Sequence, residues 1–284
     1  MTPGSATVLS PDSDIDAGRG DRTPVRPAGL GDSHIQLESN DVADAVDHLL
    51  AGLEAAGVPR GSRVGVYLRG GVEYVVALYA LHELAATLVP IDVLDWPAIS
   101  AIPAAGLDIL LTHCCESETI DDVLEVMSDS MTGIEAIDAG YELISIRTDR
   151  SAPVLHGGRT PLTVQALTLL MDQTAAALQL GPHDRIAMWD GFCTPIGIAT
   201  ALAARRCGAE VRLGDHCDSA TVLMIEPDRL LGHAVTGSIA ESIAASTRVV
   251  VPGGRLPAAA AAVWGLVEVA GMTTGAIYRC SRAA

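Results

Sequence analysis

The sequence predicts an α/β protein with two similar lobes, each built on βαβ units with largely parallel sheets. Helical and strand patterns alternate along the chain, which is the order that produces parallel pairing. One such pattern occurs twice, in residues 53–92 and again in residues 176–215. Two copies of one unit favour two lobes of the same kind.

The first lobe begins with a helix whose apolar residues recur at helical spacing from position 42 to position 53, and Gly57 ends it. The predicted elements that follow are a strand at Arg63–Tyr67, a helix at 72–85, a strand at Thr87–Ile91, a strand at Leu107–Thr112 and an acidic helix around 120–131. Helix-length crossovers between short β-branched strands predict that these strands pair in parallel.

The second copy repeats this order. LEAAGVPRGSRVGVYL (53–68) and AALQLGPHDRIAMW (176–189) each contain a helix end, a turn, a basic residue and an alternating strand. Arg63 and Arg185 are 122 positions apart, and Asp92 and Asp215 are 123 apart. The predicted domains are a disordered or loosely attached arm over 1–36, a first lobe over 37–150 and a second lobe over 151–284.

The amino-acid composition excludes several classes of protein. There are 18 basic residues, all of them Arg, against 35 acidic residues, for a formal net charge of −17. A surface this negative repels phosphate backbones, so we expect no nucleic-acid partner. No apolar run reaches the roughly 18 residues of a membrane span, and the N-terminus lacks a signal-peptide pattern. Six irregularly spaced Cys indicate reduced thiols, and we predict a soluble, cytoplasmic protein.

The two copies, in this order, resemble the N-terminal region of the adenylate-forming superfamily: acyl- and aryl-CoA ligases, peptide-synthetase adenylation domains and luciferases. Residues 53–92 and 178–215 carry the resemblance, with the strand at 220–227 and the Gly-Gly turn at 249–257. It implies the fold of that N-terminal domain and a small carboxylic-acid or acyl ligand. We expect the C-terminal catalytic domain of the family to be absent.

The ATP-binding motifs of that family are altered. Its phosphate loop, a Ser/Thr/Gly-rich run ending in Pro-Lys-Gly, corresponds to residues 151–163, which form a degenerate loop. The loop residues that stand out are His156, Gly157, Gly158 and Arg159. No Lys occurs anywhere, and Arg is a planar fork rather than a compact point charge.

A second family motif, Tyr-Gly-x-Thr-Glu, corresponds to residues 270–274, where only Gly271 and Thr273 match. The resemblance gives its Tyr to adenine stacking and its Glu to magnesium. Ala270 cannot stack, and Thr274 brings no carboxylate to a divalent ion. ATP or AMP with Mg²⁺ are therefore disfavoured as cofactors, and ligation by this chain alone is disfavoured with them.

A pocket is predicted where the second lobe turns from strand to helix, at residues 189–197. This segment holds the only Phe and one of three Trp, which suits a small-molecule pocket at the carboxyl edge of a sheet and suits core packing equally. The predicted substrate-binding residues are Trp189, Phe192, Cys193, Gly197, Gly253, Gly254, Gly271 and Thr273.

The residues suggest two other chemistries, a hydrolase and a zinc site, and the sequence disfavours both. The segment at 156–158 is similar to an esterase oxyanion segment, but the sequence has no G-x-S-x-G nucleophile turn, so a tight turn is favoured. A zinc site is disfavoured because its candidate ligands lack metal-site spacing. Those candidates are His113, Cys114, Cys115, Cys207, His216 and Cys217. No metal site and no catalytic residue is therefore assigned.

The sequence thus favours a protein like the adenylate-forming enzymes that has lost ATP-dependent chemistry and binds or processes an acyl or aryl small molecule, in a biosynthetic pathway. Two alternatives remain: a non-catalytic interaction or scaffold protein, and one half of a split ligase. Apolar surface left uncovered in such a fold predicts self-association or a protein partner. Whether any substrate is turned over stays open.

Overall fold

A computed structural model describes residues 39–93, 106–137, 140–146, 161–213, 220–231, 243 and 246–281. Within residues 34–284 these parts form one compact unit. In the described ranges, no helix has both the length and the apolar character to cross a membrane.

The described helices and strands alternate along most of the chain, as predicted, except that β4 is followed directly by β5 and β10 by β11. The helices are α1 (Ser39–Ala55), α2 (Val72–Glu83), α3 (Ser117–Met127), α4 (Val164–Leu178), α5 (Pro195–Cys207), α6 (Pro227–Leu231) and α7 (Ala258–Val263). The strands are β1 (Arg63–Tyr67), β2 (Thr87–Ile91), β3 (Ile109–His113), β4 (Met131–Ala136), β5 (Tyr141–Ile146), β6 (Arg185–Met188), β7 (Glu210–Leu213), β8 (Val222–Met224), β9 (Arg248–Pro252), β10 (Leu266–Met272) and β11 (Gly275–Cys280).

The first sheet has the strand order β2-β1-β3-β5-β4. Its β2-β1-β3 part is parallel, as predicted, while β5 pairs antiparallel with both β3 and β4. The acidic helix ends at Met127, earlier than expected, and the segment Met131–Ala136 is the edge strand β4. Its side chains are almost all exposed, so its sequence lacks the apolar alternation by which a strand is recognised.

The second sheet has the order β10-β11-β9-β8-β6-β7. Strands β9, β8, β6 and β7 are parallel, and the hairpin β10–β11 adds two antiparallel strands at one side. The expected α/β class with two sheets is therefore confirmed. Both antiparallel additions were missed because they are hairpins, whose pairing needs no helix between the strands.

The two sheets enclose a shared layer of helices. Helices α1, α2, α4 and α5 pack in one central core with the facing side of both sheets, including Val64 and Val66 of β1 and Ile186 and Met188 of β6. The outer face of the first sheet packs on α3, and the outer face of the second sheet packs on α6 and α7. Because the core is shared, and residues 147–160 lie outside the described ranges, a boundary at residue 150 stays a prediction.

The repeated units meet at equivalent helices. Tyr79 of α2 donates its hydroxyl to the carbonyl oxygen of Ala201 in α5 at 3.1 Å, and these residues are 122 positions apart, the same offset as the sequence repeat. Arg205 of α5 lies over the Tyr79 ring at 4.7 Å and pairs with Glu83 at 2.5 Å. Burial, only partly opposed by Arg205, raises the pKa of Tyr79 to about 12, so the phenol remains a hydrogen-bond donor.

Two residues of different size, at equivalent positions of the two copies, fit together where the copies meet. Gly70 follows β1, and its counterpart 122 positions later is Phe192, which follows β6. A Cβ on Gly70 would lie 2.3 Å from the Phe192 ring, and that ring meets Tyr74 edge-on at 6.3 Å between centroids. The glycine of one copy therefore makes room for the aromatic ring of the other.

Candidate functional site

Three of the predicted site segments meet at the carboxyl edge of the second sheet. They are the turn after β6, the turn after β9 and the β10–β11 turn. The backbone N–H of Gly253 donates to the carbonyl oxygen of Thr274 at 2.9 Å, which joins the second and third segments. A Cβ on Gly191, whose φ is +76°, would lie 2.4 Å from Pro252, so the first and second segments also touch.

The turn after β6 is fixed by one threonine. The Thr194 hydroxyl donates to the carbonyl oxygen of Gly191 at 2.6 Å and accepts the N–H of Gly197 at 3.1 Å, which caps the start of α5. A Cβ on Gly197 would lie 2.0 Å from the Gly191 oxygen, a contact that leaves space only for hydrogen. Gly197 is therefore needed for the close approach of this turn to its helix.

The aromatic residues of this turn face opposite sides of the sheet. Phe192 is 9% exposed and packs in the central core, with the half-buried Cys193 beside that core. Trp189 is 6% exposed and packs in the outer core under α6, where its indole N–H has no hydrogen-bond partner among the described residues. The substrate-binding roles given to these three residues stay predictions.

One ion pair lies next to Trp189. Arg229 of α6 contacts both carboxylate oxygens of Asp190, at 2.5 and 3.2 Å, and its guanidinium lies 6.0 Å from the Trp189 ring centroid. The Asp190 side chain is 16% exposed, so the pair is largely removed from water. This pair fixes α6 to the carboxyl edge of the sheet.

A second ion pair covers Gly271 on β10. The Arg255 guanidinium would lie 1.8 Å from a Cβ on Gly271, and its Nε is 3.1 Å from a carboxylate oxygen of Glu268. Thr273 is exposed, whereas the Thr274 hydroxyl is buried without a hydrogen-bond partner in the described ranges. Arg255 thus lies against the backbone at which the resemblance expects adenine.

The residues at this edge do not fit a divalent metal. Thr274 has no carboxylate, and the nearby Glu268 is paired with Arg255. Within the described residues, no group of three or more His, Cys, Asp or Glu side chains is arranged to hold an ion. No reaction step through magnesium is therefore derived.

The other residues singled out in the sequence divide into two groups. His113 and Cys114 are adjacent, with 3.8 Å between Sγ and Nδ1, and the His113 ring packs edge-on against Tyr141. Cys207 is a half-buried free thiol. The degenerate loop residues (His156, Gly157, Gly158 and Arg159), His216, Cys217 and the Cys115 side chain lie outside the described residues.

Sequence reasoning missed a polar network at the amino edge of the same sheet. Asp184 accepts hydrogen bonds from the Thr221 hydroxyl at 2.7 Å, the Gly181 N–H at 2.8 Å and Arg248. Burial pushes the pKa of Asp184 upward, but these hydrogen bonds and the Arg248 charge outweigh it, so the pKa lies below its usual value. Asp184 and Arg248 are 64 positions apart, and no local pattern signals such a pair.

Comparisons with known proteins bear on the fold. Residues 17–129 match a family model described as AMP-binding enzyme. A search of curated protein sequences finds no match.

Solved structures resemble this chain in fold. An amide bond synthetase from Marinactinospora thermotolerans is 16% identical over 85% of this chain and 56% of its own, with a TM-score of 0.62. An ATP-bound RpMatB-BxBclM chimera is 16% identical over 82% of this chain and 54% of its own, with a TM-score of 0.60. VinN in complex with L-aspartate is 15% identical over 78% of this chain and 64% of its own, with a TM-score of 0.54.

At these identities the structural likeness establishes the fold alone, and this chain spans between 54% and 64% of the length of the three structures. The resemblance read from the sequence is confirmed at that level. Over residues 17–129 the chain matches the model described as AMP-binding enzyme. Its fold is the one shared by the solved structures named above, as the resemblance to the N-terminal region of adenylate-forming enzymes implies.

Proposed function

We propose that this protein binds a small carboxylic acid, or an acyl or aryl derivative of one, at the carboxyl edge of the second sheet, and does not activate it with ATP. The cleft proposed for this ligand is bounded by the turns at 189–197, 252–257 and 270–275. Ligands of α/β proteins commonly bind beyond the carboxyl ends of parallel strands, which is where these turns lie.

The observation that carries this proposal is the position of Arg255. Its guanidinium lies on the Gly271 backbone and is held there by Glu268 at 3.1 Å. By resemblance to the family, this surface would receive the adenine ring of ATP. A guanidinium in that place must move away before a purine can stack there, which disfavours nucleotide binding.

The substitutions in the nucleotide motif support the same conclusion. Thr274 replaces the carboxylate that would hold magnesium, and Ala270 replaces the stacking Tyr. Phosphoryl-type charge needs cations or a metal arranged in advance. The described basic groups of this cleft, Arg229 and Arg255, are each paired with a carboxylate, which reduces their attraction for a triphosphate.

A carboxylic acid suits the cleft better than a nucleotide. Arg255 is 62% exposed, so a single carboxylate can reach its guanidinium from solvent without displacing buried groups. The VinN structure named above contains L-aspartate, a small acid. We extend that ligand class to this chain as part of the proposal.

Ligand binding is testable with a glycine that has open space beside it. A Cβ on Gly254 meets nothing within 4 Å, so Gly254→Phe adds a ring to the turn at 252–257, one wall of the proposed cleft, without a clash. Gly133 on the exposed strand β4 has the same open surroundings, which makes Gly133→Phe a matched control far from the cleft. Calorimetric titrations with L-aspartate, benzoate, octanoate and ATP–Mg²⁺ would be run on all three proteins.

We expect one of the acids to bind, with affinity about tenfold weaker in Gly254→Phe and unchanged in Gly133→Phe, since a lost contact of this kind is worth about 1.4 kcal/mol. ATP–Mg²⁺ is expected to give no saturable heat. Formation of an acyl-adenylate by the purified chain, detected by mass spectrometry, would refute the proposal. Equal affinity for the acid in Gly254→Phe and Gly133→Phe would also refute it.

A second candidate function, docking of another protein, is favoured by one surface. Three valines around the edge strand β10 are unusually exposed: Val263 at 79%, Val267 at 58% and Val269 at 48%. Apolar side chains on a free sheet edge favour association. Sedimentation of the chain over a wide concentration range tests self-association, and a monomer throughout would remove that form of the candidate.

A further inference from the structure

A second groove lies at the amino edge of the second sheet, at the opposite ends of the parallel strands from the cleft. Its volume is about 550 Å³, within the range of small-molecule sites. The residues that line it are Gln179, Asp184, Thr247, Arg248, Arg279 and Cys280. They come from the end of α4, the start of β6, the start of β9 and the end of β11.

Two arginines of this groove lie directly opposite each other. Arg248 of β9 and Arg279 of β11 are partners in the antiparallel register, so their side chains leave the same face of the sheet. Like charges at directly opposite positions destabilise a sheet unless something compensates them. Each guanidinium therefore needs a compensating group nearby.

Arg248 is balanced within the protein. It donates to the carbonyl oxygens of Leu178 and Gln179 at the end of α4 and forms an ion pair with Asp184. Its side chain is 13% exposed, and its Nε is buried without a hydrogen-bond partner among the described residues. The Asp184 charge is thus already used by Arg248.

Arg279 is not balanced in the same way. Its guanidinium donates to the side-chain oxygen of Gln179 at 3.2 Å, and Gln179 carries no charge. No described carboxylate forms an ion pair with it. The groove therefore holds two guanidiniums against one carboxylate, an excess of one positive charge in a chain whose formal net charge is −17.

The end of α4 offers a competing explanation for this arrangement. A helix C-terminus carries about half a negative charge, so it attracts arginines without any ligand. Arg248 already occupies the terminal carbonyl oxygens, however, and Arg279 reaches only the amide side chain of Gln179. The partial negative charge of the helix end is therefore used mainly by Arg248. The Arg279 guanidinium, at the open side of the groove, keeps a net positive charge.

We propose that this groove binds a small oxyanion, a carboxylate or phosphate group, with Arg279 as the residue that meets the anion. Arg248 and Asp184 form the fixed wall against which it binds. The site is separate from the carboxyl-edge cleft, so the proposal does not depend on the function proposed there. A guanidinium pairs readily with either oxyanion through two parallel N–H donors.

Calorimetric titration with inorganic phosphate and, in a separate arm, acetate, at constant ionic strength measures binding at this site. The proteins compared are the wild type, Arg279→Gln and Arg60→Gln. Arg60 is an exposed arginine in the turn before β1, so its substitution is a matched control for the lost charge.

We expect one oxyanion to bind the wild type saturably. Arg279→Gln should weaken this affinity about tenfold, because it removes a charge-assisted contact. Arg60→Gln, which neutralises an exposed arginine beside the first sheet, should leave the affinity unchanged. An unchanged urea midpoint in Arg279→Gln shows that the variant is folded.

The proposal is overturned if neither phosphate nor acetate binds. It is equally overturned if Arg279→Gln and Arg60→Gln bind the anion with the same affinity, which is the result expected of an acid held only in the carboxyl-edge cleft. If phosphate binds and acetate does not, the ligand class is phosphorylated; the reverse result assigns a carboxylate. Neither outcome bears on binding in the carboxyl-edge cleft.

Discussion

The two edges of the second sheet are built on different principles. At the carboxyl edge, backbone segments approach so closely that Gly191 and Gly197 leave no space for a side chain, and each described arginine has its own carboxylate. At the amino edge, one buried carboxylate serves the Arg248 guanidinium, and Arg279 faces an open groove. The fold favours the first edge as a ligand site, whereas the charge distribution favours the second.

The strongest test of this contrast is Asp184→Asn. An Asn side chain keeps one acceptor oxygen, but its NH₂ group would face either the Gly181 N–H or the donors Thr221 and Arg248. Because the pair is mostly buried, we expect a loss of about 3–5 kcal/mol in the free energy of unfolding, measured with urea.

The matched control for that variant is Asp172→Asn. Asp172 pairs with Arg206 at 2.7 Å, but both side chains are about half exposed. We expect a change below about 0.5 kcal/mol, since water screens such a pair. If the two variants were equally stable, the amino-edge network would have no structural role.

The next largest effect is expected at the carboxyl edge, from Gly197→Ala. The new methyl would lie 2.0 Å from the Gly191 carbonyl oxygen and must push the turn away from α5. We expect a loss of about 2–3 kcal/mol in the free energy of unfolding. Gly254→Ala, with open space beside it, should be near neutral, and a similar loss in both variants would contradict the packing described for this edge.

The smallest effect concerns pH. The folded-state pKa of Asp184 is lower than its unfolded value, so the stability it contributes is fully present above about pH 4 and is lost as the pH falls through the folded-state pKa. The difference in unfolding free energy between the wild type and Asp184→Asn should therefore be constant near neutral pH and shrink in acid. A difference independent of pH down to about 2 would show that Asp184 is not stabilised as a carboxylate.

The sequence repeat predicts the local elements of the two copies but not how the copies pack. The offset of 122 positions, read from Arg63 and Arg185, recurs in the bond from Tyr79 to Ala201. A repeat is visible because each copy must form the same local elements. That the copies pack on each other through their equivalent helices is a tertiary result, which periodicity does not encode.

The candidate site was predictable in part. The turn at 189–197 is predicted from its aromatic residues, and the turns at 252–257 and 270–275 follow from the family resemblance. The structure brings the three turns to one sheet edge. The position of Arg255 over Gly271 was not predictable, because it depends on how the β10–β11 hairpin adds to the sheet. The same limit applies to Phe192, whose environment is set by Gly70 of the other copy.

By itself, the sequence determined the alternation of helices and strands, the two copies and the absence of lysine, since each depends only on residue type and local spacing. The tertiary structure decided which strands became antiparallel edges, which arginines found carboxylates and where two guanidiniums came face to face. Those outcomes depend on partners dozens of positions apart, and Coulomb and packing energies act on distance in space rather than on distance along the chain.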